Sequence, residues 1–110
     1  MKLPEEGMLL RVFVGETDRV HGKSLYEQIV LKARELGLAG ATVVRGVMGF
    51  GANSRVHSAK ILRLSEDLPV VVELVDTEEN LNKLMPFIDE NVTEGLVTME
   101  RVRVIKYRHK

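Results

Sequence analysis

Two apolar runs dominate the chain, and each is followed by a segment of helical period. Met8-Leu-Leu-Arg-Val-Phe-Val14 stands before Gly15, and Pro69-Val-Val-Val-Glu-Leu-Val75 stands before Asp76. Both are rich in β-favouring residues and read as buried strands, with Pro69 tolerable at a first strand position. After the first run, Leu25, Ile29, Ala33 and Leu36 recur at helical spacing. Ser24 and Glu27 suit a capping box there, and Gly37 suits the helix end. After the second run, Leu81, Leu84, Met85 and Ile88 form one helical face. Asp76 and Glu79 suit a second capping box, and Pro86 is expected to kink the helix.

Two further strands complete the pattern. One runs from about Ala41 to Met48, the other from Val97 to Tyr107. Residues 50–60 read as a loop, Lys60–Leu64 as a short strand or turn, and Asn91–Gly95 as a second loop. The order is β-α-β-β-α-β, and each βαβ half requires a right-handed crossover. The predicted fold is α+β: a ferredoxin-like βαββαβ sandwich, with a four-stranded antiparallel sheet and two helices on one face. The chain of 110 residues is expected to form a single domain over 1–110.

Helices on one face leave the other uncovered, yet the strands are apolar on both. Leu10, Val12 and Val14 oppose Leu9 and Phe13; Val70, Val72 and Leu74 oppose Val71 and Val75. An exposed face of that kind is rare in monomers, so self-association in a closed ring is expected, a trimer or a dimer. Arg11, Arg45, Glu73, Arg101 and Arg103 interrupt the apolar positions. They can pair across strands or subunits, or line a cleft between subunits.

Composition narrows the function classes. Lysine plus arginine (16) balance aspartate plus glutamate (16), which gives no general attraction to nucleic acid or acidic membranes. Aromatic residues are only 5% and tryptophan is absent, against a base-stacking strand binder. No apolar run approaches the roughly 18 residues that span a bilayer, and the N-terminus lacks a signal-peptide core. With no cysteine, a soluble cytoplasmic protein without disulfides or thiolate metal sites is expected.

Function is sought at residues 40–57, where a β-branched strand meets Gly46, Gly49 and Gly51 and then a basic loop. Backbone N–H groups near Gly49–Gly51 can approach an anion, and Arg55 adds charge. The same glycines equally suit a hairpin that bends, since the spacing matches neither G-x-G-x-x-G nor the P-loop. Arg101 and Arg103 share one strand face and could clamp phosphate, or pair with Glu73, or lie solvated. Glu94-Gly95 is a helix end or turn that could meet the same ligand from another side. His21, His57 and His109 show no metal-ligand spacing, and no nucleophile motif appears.

These residues resemble the PII signal-transduction proteins. Thr42-Val43 enters Val47-Met48-Gly49-Phe50-Gly51 before a loop, as strand two enters the long T-loop in that family. The small PII-like proteins of bacteria and archaea are similar also through Lys60-Ile-Leu-Arg-Leu-Ser-Glu-Asp-Leu-Pro-Val70, and the resemblance spans about residues 8–107. It implies a homotrimer that binds an adenine nucleotide (ADP, ATP or AMP) in clefts between subunits. It places Gly49, Phe50 and Gly51 at the T-loop base beside the phosphates, Thr42 on the strand leading there, and Glu94 and Gly95 at the B-loop. Residues 50–60 would contact a protein target. The chain differs in having Ala52-Asn53 where the family has glutamine, in a shorter loop, and in lacking the B-loop Gly-Lys. No cofactor is required and no enzyme is expected. A CutA-like structural or metal-tolerance trimer and a small nucleotide-hydrolysing enzyme remain as alternatives on the same fold.

Overall fold

A computed structural model describes residues 6–50, 57–58 and 68–108. The two apolar runs form the central strands β1 (Glu6–Gly15) and β3 (Pro69–Asp76), paired antiparallel from Met8↔Asp76 to Gly15↔Pro69. The edges are β2 (Thr42–Arg45) beside β3 and β4 (Leu96–Arg103) beside β1. The sheet is four-stranded and antiparallel, in the order β2-β3-β1-β4. With helices between β1 and β2 and between β3 and β4, this is the expected ferredoxin-like arrangement.

Strand alternation explains the layering. Leu10, Val12 and Val14 on β1 and Val70, Val72 and Leu74 on β3 are all buried on one face. Helix α1 (Leu25–Glu35) lays Leu25, Ile29 and Ala33 on that face. Helices α2 (Glu78–Asn82) and α3 (Met85–Asn91) add Leu81 and Ile88, with the intervening Leu84 also fully buried. Each such valine, leucine or isoleucine contributes roughly 1.5–3 kcal/mol by leaving water.

The helix ends differ in part from the capping pattern. Gly37 does end α1: at φ +78° its N–H donates to Arg34 O at 3.0 Å, and Leu38 N to Ala33 O at 3.0 Å. Those two bonds make a Schellman motif, which favours glycine because a Cβ resists the left-handed conformation. The Ser24–Glu27 capping box does not form. Ser24 stands at the N-cap, but its hydroxyl makes no capping bond. It is held instead in a short ladder of Arg19–Val20 with Lys23–Ser24, while Leu25 N donates to Asp18 O at 2.9 Å. At α2 the cap falls one residue later than Asp76, on Thr77, whose Oγ1 accepts from Asn80 N at 3.1 Å. Asp76 is fully buried and accepts from Thr77 N (2.7 Å), Asn80 Nδ2 (2.9 Å) and Ala39 N (2.8 Å). Pro86 does more than kink one helix. It sits in the first turn of α3, where its missing N–H is not needed, and the helix divides before it.

Both later strands are shorter than their apolar patterns. Only Thr42–Arg45 joins the sheet. Beyond it, Gly46 N donates to Pro69 O at 2.7 Å, and Met48–Gly49 pairs with His57–Ser58 in a separate ladder. At the other edge β4 stops at Arg103, and residues 104–108 leave the ladder. They turn onto the uncovered face, where Val104 lies against Gly7 and the Tyr107 hydroxyl donates to Ala39 O at 2.9 Å. The segment 60–67, expected to hold a short strand and a break, lies outside the described residues.

Candidate functional site

The uncovered face is apolar with one ionic row. Register places Thr42, Glu73, Arg11 and Thr98 side by side, and next to them Val44, Val71, Phe13 and Leu96. Arg11 Nε donates to Glu73 Oε2 at 2.9 Å, and Arg11 Nη1 to Glu100 Oε1 at 3.1 Å. The Glu73 hydrogen bond above all holds the Arg11 guanidinium above its ordinary pKa. This is the cross-strand pairing that the interrupting charges allowed. Arg45 also finds a partner, in an ion pair with Glu16 just past the end of β1.

Arg101 and Arg103 do share a face, but it is not the face of Glu73. Arg101 stands opposite Met8 and Arg103 opposite Glu6, in the same parity as Leu10, whereas Glu73 stands opposite Arg11. Pairing of either arginine with Glu73 on that face is therefore corrected by register, which residue spacing alone does not reveal.

The loop base sits at the end of the sheet where β1 finishes. Gly46 and Gly49 both press on the Pro69 ring: a Cβ would lie 2.8 Å and 3.1 Å from Pro69 Cγ. Close packing thus accounts for two of the three glycines without any ligand. The Gly46 N–H is spent on Pro69 O. Past them Val47 and Phe50 are each 73% exposed, large apolar side chains for a loop root. Gly51 and Arg55 lie outside the described residues.

Glu94 and Gly95 are exposed at the same end of the sheet, on the opposite edge. Gly95 is required to be glycine: φ is +151°, and a Cβ would come within 2.4 Å of Phe13 O. Three strand spacings separate that edge from β2, about 14 Å. Arg103 is at the far end of β4, roughly 23 Å along the strand from Leu96. One chain therefore holds the expected site residues as separate groups: the loop base, the Glu94–Gly95 turn, and the arginines.

Thr42 and Arg103 both border one open cleft of about 780 Å³ on the uncovered face, from opposite edges of the sheet, Arg103 where β4 ends. Leu9, Val75 and Val102 line it, Arg11 and Glu73 border it, and the tail residues 104–107 form one wall. The cleft, the Arg45–Glu16 pair and the tail were not singled out by spacing. A partner 29 positions away leaves no local signal, and the tail's apolar Val104, Ile105 and Tyr107 read equally well as strand. Among the described residues no group of three or more His, Cys, Asp or Glu could hold a metal ion. No helix there is long and apolar enough to cross a membrane.

Comparison with known proteins agrees with this fold. The fold is shared with CPII from Thiomonas intermedia K12, solved bound to ADP and bicarbonate: TM-score 0.60 and 18% identity over 92% of this chain and 90% of that one. A second structure of CPII, a nitrogen regulatory PII-like protein, bound to ADP, AMP and bicarbonate, gives a TM-score of 0.63 at 17% identity, with the same shares covered. At these identities the likeness is one of fold. In sequence the chain is 39% identical over 97 residues to a UPF0166 protein of Aquifex aeolicus (strain VF5), covering 88% of this chain and 91% of that one. It is 35% identical over 99 residues to a UPF0166 protein of Methanocaldococcus jannaschii, covering 89% and 91%. Matching the family over residues 7–104, the chain belongs to DUF190 (Uncharacterized ACR, COG1993), a family whose fold is that of the PII-like proteins.

Proposed function

We propose that the chain is a PII-like regulatory module that binds an adenine nucleotide between the subunits of a homotrimer. The observation that carries this is the division of the site. The loop base and the Glu94–Gly95 turn lie at one end of the sheet on opposite edges, and Arg101 and Arg103 lie at the other end of β4. A neighbouring copy can bring one edge against the other. A single chain cannot close that gap without unfolding the sheet.

Two further features support the reading. The uncovered face exposes Val44 (47%) and Leu96 (56%) beside Phe13 and Val71, which suits burial against other copies. The CPII structures of the same fold hold ADP. In the trimer, N–H groups near Gly49–Gly51 would face the phosphates and Arg55, Arg101 and Arg103 would supply cations. Ligand contact would then change the order of residues 50–60 and their fit to a protein target, if it favours one loop state over another.

Titration calorimetry with ADP, ATP and AMP tests the reading. Saturable heat is expected with at least one of them at one site per chain, with no steady release of phosphate. Arg103→Ala is expected to weaken binding at least about tenfold, the scale of a lost charge-assisted bond. Absence of heat and of any thermal shift at millimolar nucleotide would overturn nucleotide binding. Steady turnover would replace the binding module with an enzyme.

A further inference from the structure

We propose that residues 104–108 are a strap across the uncovered sheet face that a second copy of this chain must displace in order to assemble. The inference rests on the homotrimer reading and adds a control to it: the chain's own tail sets the concentration at which copies associate.

The path of the tail is the first observation. It leaves β4 at one edge and reaches Ala39, just before β2, at the other. Four residues of extended chain span about 13–14 Å, enough to cross four strands. Val104 lies over Gly7, where a Cβ would meet its Cγ2 at 3.2 Å, and Tyr107 Oη donates to Ala39 O at 2.9 Å. The end of the face at Gly7, Leu9 and Val75 cannot lie under this segment and under a neighbour at once.

The anchor is built as a fixed post with a releasable hook. The fully buried Asp76 holds Ala39 N at 2.8 Å and is itself tied to Thr77 and Asn80 at the start of α2. The hook is the tyrosine hydroxyl on the carbonyl of the same residue. Between Val104 and the hook the strap is not packed down. Residues 105–108 are exposed, Ile105 by 78%, and residues 104–107 border the open 780 Å³ cleft together with Leu9, Val75 and Val102. The cleft is open to solvent beside the strap, so residues 105–108 border the face without forming a core with it.

The apolar rows and the mixed charges of the face fit a second copy of this chain as the replacement for the strap. Lys106 and Arg108 ride on it, and the face beneath carries Glu73 and Glu100 around Arg11. A second copy presents the same apolar rows and the same mixed charges, so it can satisfy both. The part of the face that the strap leaves open, at Val44 and Leu96, gives that copy a place to begin.

The experiment is a dilution series followed by light scattering on the full chain, on Tyr107→Phe, and on a chain ending at Val104. Circular dichroism verifies that each is folded. Tyr107→Phe is expected to lower the concentration of half-assembly about tenfold, since each of three chains no longer breaks one neutral hydrogen bond on joining the trimer. The shortened chain is expected to lower it further. If the full chain assembles and both variants assemble at the same or higher concentration, the strap is overturned and the homotrimer stands. If all three stay monomeric to millimolar concentration, the homotrimer reading fails and the strap with it.

Discussion

The two faces of this sheet are written by one alternation and serve different ends. On the helix side the rows are apolar from strand to strand, as in Val43, Val72, Val12 and Val97, and the central members are fully buried. On the other side an equally apolar row, Val44, Val71, Phe13 and Leu96, lies next to a row holding Arg11 and Glu73. The helix-side layer holds the buried Asp76 only with three donors on its carboxylate, because an unpaired buried charge is costly. The second face holds the Arg11–Glu73 ion pair and keeps Val44 and Leu96 exposed. The difference teaches that one alternation can write a closed core on one side of a sheet and an apolar face left open within the chain on the other.

The largest expected effect separates the faces directly. Leu10→Ala, at a fully buried position, is expected to cost about 2–5 kcal/mol in urea unfolding at every protein concentration. Phe13→Ala, half-buried on the other face, is expected to cost about 1–2 kcal/mol in dilute solution and more as concentration rises. Equal, concentration-independent losses would break the comparison. Next in size is Asp76→Ala, which strands the Ala39, Thr77 and Asn80 donors inside the helix-side layer and is expected to cost about 3 kcal/mol. The smallest effect is expected for Arg11→Leu. Its unfolding midpoint should stay close to the parent's while the salt dependence of assembly diminishes, read by light scattering at low and high ionic strength.

Much of the helix-side layer is legible in the residues themselves. Leu10-x-Val12-x-Val14 and Val70-x-Val72-x-Leu74 alternate cleanly, and Leu25, Ile29 and Ala33 keep helical period, so the local pattern and the global packing agree. What failed to show were choices between equal local options. Ser24 has capping chemistry, but a tertiary ladder holds it away from that role. Val104, Ile105 and Tyr107 suit a strand, yet they follow the apolar face and not the ladder. The site was legible only as parts. Arg101 and Arg103 share a parity visible in sequence, but which face that parity selects is fixed by the register against β1. Gly46 and Gly49 suggested an anion cradle, and the Pro69 ring explains both by contact. Which groups meet across subunits is not written at any single spacing.

The most direct test of a divided, shared site is the mass of the protein in solution with its ligand counted. Light scattering joined to equilibrium dialysis with ADP is expected to give about three times the 12.4 kDa chain mass, with one ADP bound per chain. A 12.4 kDa particle that binds no ADP at millimolar concentration would contradict it.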